Sequence, residues 1–278
     1  MRARVAFPSR GRLRDFVVDL LDDAGVPLLP KRSAAGHEPI DGLELVEMRP
    51  RDAAAWLAAG RVDGAFISTD LVLEEDLRAL DAVPLGAVRS DLVVASREDD
   101  GRTSAADLAG AVVATHLPGA TARWFAEQGI EIRVVPMGGA LEGVCAAGLA
   151  DAIVDLRETG NSLARHRLRV LAEIAACEAL LVHTGTDEID ELVVRLQAVL
   201  DARRHRYVML HLDPAKLDAL MRLFPGLAAP TVLPLAHRDD LVAVHLVTEE
   251  STFWSRVQEL RALGATGIVA LPPDALVR

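Results

Sequence analysis

Two periods of apolar spacing alternate along this chain. Arg4-Val-Ala-Phe7 reads as a short strand, and Leu13 to Ala24 carries apolar residues at helical spacing, closed by Gly25. Leu43-Glu-Leu-Val-Glu-Met48 alternates like a half-buried strand, and Arg49-Pro-Arg-Asp52 opens a helix predicted to run through Ala59. A further strand spans Val62 to Ile67 and ends at Ser68-Thr69-Asp70. Leu92-Val-Val-Ala95 begins a second unit of the same kind: a helix-like turn at Ala105 to Leu108, a strand from Ala111 to Thr115, a loop from His116 to Thr121 and a helix from Ala122 to Gln128. Ile132 to Val135 is the next strand, followed by Gly138-Gly139 and a helix around Leu141 to Ala147. Strands alternating with helices over short polar connections imply βαβ units on a mostly parallel sheet.

From Tyr207 the rhythm changes. Tyr207 to His211, Val242 to Val247 and Gly267 to Leu271 are strands, while Pro214 to Leu223 and Thr252 to Leu263 are helices. The prolines between Pro225 and Pro234 keep that segment out of a central strand. The order matches the ferredoxin-like split βαβ arrangement.

At 278 residues the chain can hold two or three cores, and 51% hydrophobic with 26% charged residues fits a soluble globular protein. A net charge of −11 argues against a nucleic-acid binder but leaves local basic clusters free to meet anionic substrates. Cys145 and Cys177 form neither a disulfide framework nor a zinc spacing and are expected as buried small hydrophobes. His37, His183, His205 and His245 have no metal-ligand spacing and are expected to be structural or surface residues. Met1 to Phe7 does not resemble a signal peptide and no apolar run approaches the ~20 residues of a membrane helix, so a cytoplasmic protein is expected.

The most informative stretch is Gly148-Leu-Ala-Asp-Ala-Ile-Val-Asp-Leu-Arg-Glu-Thr-Gly-Asn-Ser-Leu163. It places Asp155 at the end of an apolar strand, the usual place for ligands in α/β proteins. A Thr159-Gly160-Asn161-Ser162 turn follows; its hydroxyls, a glycine free to take φ > 0 and a helix start near Ser162 suit an anion. A carboxylate for sugar hydroxyls beside a phosphate cradle is what a ribose 5-phosphate requires. The residues of this loop taken alone are equally consistent with an ordinary turn and N-cap.

The stretch resembles the signature of the ATP phosphoribosyltransferases, the first enzymes of histidine biosynthesis. Glu142, Gly148, Ala150, Ile153, Asp155-Leu156, Thr159-Gly160 and Leu163 match the family pattern, and Ser162 stands where the family has threonine. Pro225 to Leu235 and Leu263 to Ile268 resemble the C-terminal regulatory domain of the long form, so the resemblance covers essentially the whole chain. It implies an α/β fold of two periplasmic-binding-protein-like lobes around a cleft plus a C-terminal ferredoxin-like, ACT-like α+β domain. Lobe I is expected over 1–89 and about 179–203, lobe II with the phosphoribosyl pyrophosphate loop over 90–178, and the regulatory domain over 204–278.

The reaction implied is attack by N1 of ATP on C1 of phosphoribosyl pyrophosphate, expelling pyrophosphate. Asp155, Glu158, Thr159, Gly160, Asn161, Ser162 and Leu163 would bind the phosphoribosyl group. Arg10, Gly11, Arg12, Arg49, Asp70 and Glu142 would serve ATP and pyrophosphate, with Arg10 standing where the family generally has lysine. Arg49 could instead pair with Asp52 or Asp70, and Glu142 could organise the loop from behind or cap its helix. Mg²⁺ would be carried by the substrate rather than by dedicated protein ligands. Histidine is the implied feedback inhibitor, with Thr231 and Thr266 its candidate contacts, and a homo-oligomer from dimer to hexamer is implied; no nucleic acid or membrane partner is expected.

Three departures from the family fall where ATP should bind. Ala65-Phe66-Ile67-Ser68 replaces a Gly-Ile-Thr-Gly-like segment, and Phe66 is expected to crowd the ligand. His116-Leu117-Pro118 replaces Ser-Tyr-Pro, losing an aromatic that could meet adenine, and Ala122 replaces a basic residue, although Arg123 remains. These leave open a divergent phosphoribosyltransferase with another acceptor, or a non-catalytic small-molecule-binding or regulatory protein.

Overall fold

The computed structural model describes residues 2–26, 28, 40–225 and 229–277. They form two compact units, one of residues 2–19, 28 and 40–191 and one of residues 20–26 and 192–277.

The first unit opens with β1 (Ala3–Pro8), α1 (Arg12–Asp23), β2 (Leu43–Met48), α2 (Pro50–Ala58), β3 (Gly64–Ser68), α3 (Thr69–Glu74) and β4 (Asp81–Pro84). It continues through β5 (Ser90–Arg97), β6 (Val112–Thr115), α4 (Pro118–Glu127), β7 (Arg133–Pro136), α5 (Leu141–Ala146), β8 (Ala152–Arg157), α6 (Asn161–Arg165) and β9 (Leu168–Cys177). The chain then returns in β10 (Ala179–His183) and leaves in α7 (Asp187–Arg204).

Two five-stranded sheets result, in the orders β2-β1-β3-β10-β4 and β7-β6-β8-β5-β9. In the first, β1 runs parallel to β2 and β3 while β10 runs antiparallel to β3 and β4. In the second, β6 is parallel to β7 and β8, and β5 is antiparallel to β8 and β9. Each sheet is thus a parallel βαβ core closed by antiparallel strands, the two-lobe arrangement of periplasmic-type binding folds. β3 (Gly-Ala-Phe-Ile-Ser) and the first half of β8 (Ala-Ile-Val) are buried without alternation, because helices cover both faces of a parallel sheet.

The structure moves several expected boundaries. α4 starts at Pro118, not Ala122, because proline at the first helical position loses no hydrogen bond. β8 runs to Arg157, so Asp155 lies within the strand opposite Val93 of β5 rather than at its end. Both cysteines are buried and free, as expected.

The second unit carries β11 (His205–Leu212), α8 (Leu217–Leu223), β12 (Thr231–Leu235), β13 (Arg238–Glu249), α9 (Glu250–Ala262) and β14 (Thr266–Leu271). Its sheet order β12-β13-β11-β14, antiparallel throughout, is the ferredoxin-like pattern. The proline-rich segment supplies edge strand β12, where Pro234 costs no central ladder bond. Val208, Leu210, Val244, Phe253 and Leu260 fill this unit's own core.

Candidate active site

Parallel strands collect ligand-facing loops at their carboxyl ends. Arg10 and Arg12 follow β1, Arg49 follows β2, Asp70 follows β3, and Glu158 to Ser162 follow β8. Glu142, in the first turn of α5, follows β7 in the same way.

The phosphoribosyl-type loop is the best-organised part. Gly160 caps α6 with φ +75°, a backbone conformation that favours glycine, and the first amides of α6 have no partner one turn back inside the helix. Leu163 is buried and anchors the turn to a core of Val93, Ala95, Leu141 and Ile153. The Ser162 hydroxyl donates to Glu142, so the two ends of the signature close on each other. That bond holds the Glu142 carboxyl below its ordinary range, against the opposing effect of burial. Ser162 therefore braces the loop through its hydroxyl, and the serine-for-threonine exchange keeps the one group this contact uses. Of the two readings of Glu142, the contact favours organisation of the loop.

Asp155 is partly buried, its side chain 21% exposed, and accepts a 2.8 Å hydrogen bond from the Leu156 amide. Burial pushes its carboxyl up; the Leu156 amide and His116 act in the opposite direction, and Glu142 adds to the rise. A carboxylate raised by burial recurs at functional sites.

From the first sheet, Arg12 forms an ion pair with Glu158 and so joins two candidate residues across the lobes. Arg10 and Arg49 are exposed and form no ion pair among the described residues; Arg49 pairs with neither Asp52 nor Asp70. Gly11 takes φ +84° with open space where a Cβ would sit. Asp70 departs from expectation: it is buried, 4% exposed, and accepts the Ser68 hydroxyl, so it faces the interior instead of the arginines. Cys177 feels that charge too, its thiol pushed up to about 12, mainly by burial.

The expected crowding on the ATP side is not present. Phe66 is fully buried in β3, its ring directed into the protein, and Leu117 is likewise fully buried. Ser68 has φ −114° and ψ 162°, extended backbone that any residue adopts, so no glycine is needed there. Arg123 turns to the α3 carbonyls of Leu73 and Glu74, 2.7 Å from the latter, while the Glu74 carboxylate accepts from the Ala120 amide at 2.8 Å. Gly119 makes this approach possible, since a Cβ would lie 2.8 Å from the Glu74 carbonyl oxygen.

Two residues outside the sequence-derived set belong here. His116 Nδ1 lies 3.5 Å from Asp155 Oδ1, and Arg51 donates to the His116 carbonyl from α2. Arg51 sits in the Arg49-Pro-Arg-Asp52 motif, whereas His116 was visible only as a departure. A cavity of about 290 Å³ beside the loop is lined by Arg89, Asp91, Glu158 and Glu178 among others, but does not include Asp155.

Thr231 and Thr266 are both exposed and begin β12 and β14, the opposite edges of the second unit's sheet. Thr231 stands opposite His245 and Thr266 opposite His211, so one chain does not bring them together. His245 instead lies 2.6 Å from the Tyr207 hydroxyl; His183 and His205 are buried, and His37 falls outside the described residues. Among the described residues no helix is long and apolar enough to cross a membrane, and no group of three or more His, Cys, Asp or Glu could hold a metal ion.

The ATP phosphoribosyltransferase family model matches residues 49–198, and the model of that family's C-terminal domain matches residues 202–273. An ATP phosphoribosyltransferase from Gemmatimonas aurantiaca is 34% identical, with 99% of each chain covered. One from Methanothermobacter thermautotrophicus is 33% identical over the full length of both. The solved ATP phosphoribosyl transferase (HisG:HisZ) complex from Thermotoga maritima contains a chain that matches 72% of this one and 98% of its own length, with TM-score 0.60 and 28% identity. On family models covering most of its length and relatives aligned end to end, the chain belongs to the ATP phosphoribosyltransferase family.

Proposed function

We propose that Asp155 and the loop from Glu158 to Leu163 hold phosphoribosyl pyrophosphate while its C1 is attacked by N1 of ATP, with release of pyrophosphate. The observation that carries this reading is the closed signature: Glu142 and Ser162, twenty residues apart, are joined by a hydrogen bond, and Asp155 lies on the strand between them. Asp155 would accept from the ribose hydroxyls, and the amides of Thr159 to Ser162 would face the 5-phosphate. Positive charge grows on the ribose ring as the pyrophosphate leaves, so a fixed carboxylate nearby stabilises the transition state more than the ground state. Arg10 and Arg49, with no carboxylate partner among the described residues, would meet the phosphates of ATP or the leaving pyrophosphate, and Arg12 would join them by exchanging Glu158 for the incoming anion. Mg²⁺ carried in on the pyrophosphate would neutralise the departing charge. Asp70 takes no part in this scheme, because its carboxylate is engaged by Ser68 in the interior.

The buried positions of Phe66 and Leu117 remove the main reason to invoke another acceptor. We assign lobe I to 1–89 with 179–203, lobe II to 90–178 and the regulatory part to 204–278. This is supported by β10 joining the first sheet and by β11 starting at His205. Histidine is the inhibitor we propose for the second unit, with Thr231 and Thr266 as its contacts. Exposed Val232, Leu233, Val269 and Leu271 on the sheet's edge strands suit homo-oligomerisation.

A spectrophotometric assay with ATP, phosphoribosyl pyrophosphate, Mg²⁺ and pyrophosphatase, with and without histidine, tests the scheme. Product formation is expected. Absence of product together with calorimetric binding of phosphoribosyl pyrophosphate would overturn ATP as the acceptor. Activity unchanged at millimolar histidine would overturn the inhibitor assignment alone.

A further inference from the structure

His116 stands beside Asp155 for a structural reason. β6 and β8 are parallel neighbours with Thr115 opposite Val154; the next residues are His116, just past the end of β6, and Asp155, within β8. Strand spacing of about 4.8 Å brings two such side chains together when both point the same way. Here His116 Nδ1 and Asp155 Oδ1 are 3.5 Å apart, with the side chains 26% and 21% exposed. The backbone that carries the imidazole is fixed by its neighbours. Leu117 is fully buried and its amide donates to Thr115 Oγ1 at 2.9 Å, while the His116 carbonyl accepts from Arg51.

We propose that His116 is a positioning residue for Asp155: protonated, it is the cation that keeps the carboxylate ionised, and neutral, it still fixes the carboxylate's direction. This rests on the reading that Asp155 binds the ribose hydroxyls. The charged groups around the pair are few. Glu142 faces Asp155 from α5 and opposes its ionisation, while Arg51 reaches the His116 backbone from α2. The Arg157 guanidinium, two residues along β8, is taken by Asp91 at 2.7 Å and by Glu173 at 2.5 Å. His116 is therefore the side chain that, when protonated, places a positive charge beside Asp155, where burial already disfavours the charged carboxylate.

Ribose binding needs the Asp155 carboxylate ionised, so its protonation should set the acid limb of kcat/KM for phosphoribosyl pyrophosphate. In His116→Ser the carboxylate loses both its orienting contact and the charge a protonated imidazole brings. The acid limb should move up by about one pH unit, a loss of about tenfold below neutral pH that shrinks at alkaline pH to a few-fold rise in KM from the missing orienting contact. His116→Asn, which keeps an N–H donor but no charge, should restore KM on the alkaline side without restoring the acid limb. KM for ATP should stay within about twofold in both variants, because the effect is on the ribose side. A His116→Ser profile lowered uniformly across pH, with the acid limb unmoved, would overturn the proposal and leave His116 a packing residue. Should His116→Ser fail to fold by circular dichroism, the displaced acid limb of His116→Asn carries the test. Asp155→Asn separates the two levels. If it leaves phosphoribosyl pyrophosphate kinetics unchanged, the reading of Asp155 itself fails; if it is impaired while the His116 variants track the wild type, only the present inference fails.

Discussion

The two sides of the first unit respond differently to sequence change. On the ATP side, Phe66 and Leu117 replace residues expected near a ligand, yet both are fully buried, and Ser68 holds ordinary extended backbone where a glycine was expected. On the phosphoribosyl side, partly buried Glu142 and exposed Ser162 are joined to each other, and Asp155 on the strand between them is a half-buried carboxylate. Substitution on the first side has been absorbed by the interior, whereas the second retains polar groups that hydrogen-bond one another. A motif departure therefore says little until the direction of its side chain is known.

The largest expected effect breaks the comparison at its buried end. Phe66→Ala should cost about 3–5 kcal/mol of stability, the range for removing a buried aromatic, while KM for ATP in the folded remainder stays unchanged. Leu117→Tyr, which restores an aromatic, should destabilise by about 1–3 kcal/mol through overpacking and should not improve ATP affinity. Improved ATP affinity in Leu117→Tyr would mean that this position faces the ligand after all. At the other end, Asp155→Asn should lower kcat/KM for phosphoribosyl pyrophosphate about 100-fold, or about 2.7 kcal/mol, with the fold intact by circular dichroism. Glu142→Gln weakens the brace on Ser162 and should raise KM for phosphoribosyl pyrophosphate several-fold, about 1 kcal/mol, with kcat little changed.

Much of this was legible in the sequence because it is local. The helical spacing of Leu13 to Ala24, the alternation of Leu43 to Met48 and the ferredoxin-like order after Tyr207 all emerge as elements. The signature, too, is contiguous, so its loop could be read directly. What was hidden depends on register. β4 is four residues ending in proline, and β10 is a short apolar run, so neither has a period of its own; both become strands by pairing across the sheet. His116 acquires a role only because β6 and β8 align Thr115 with Val154, which no pattern within either strand reveals. Asp70 shows the converse: its position after β3 suits a ligand, but in the structure its carboxylate is buried and accepts the Ser68 hydroxyl.

The smallest effect offers the finest control, because it compares two aspartates four residues apart in one signature. Asp151 accepts the Val112 amide at 2.9 Å and the Arg102 guanidinium at 2.9 Å, tying β6 to the start of β8. The amide bond, with help from Arg102, holds its carboxyl below the usual range in spite of burial, whereas burial holds Asp155 above that range. The signs are opposite. Asp151 contributes stability that is fully present above the unfolded aspartate value of about 3.9 and is lost as pH falls through its lower folded value. Asp155 carries a penalty that is full above its raised folded value and is relieved as pH falls through it. Asp151 is 37% exposed, so solvent screening should keep its contribution below about 1 kcal/mol. Thermal melts should therefore show Asp151→Asn less stable than wild type at pH 7, with the gap closing below about pH 4, the ordinary aspartate range. Asp155→Asn should be slightly more stable than wild type at pH 7, and that difference should also vanish in acid. Two variants that shift in the same direction at pH 7 would mean that Asp155, like Asp151, is part of the framework, and would remove the electrostatic argument for placing the ribose at its carboxylate.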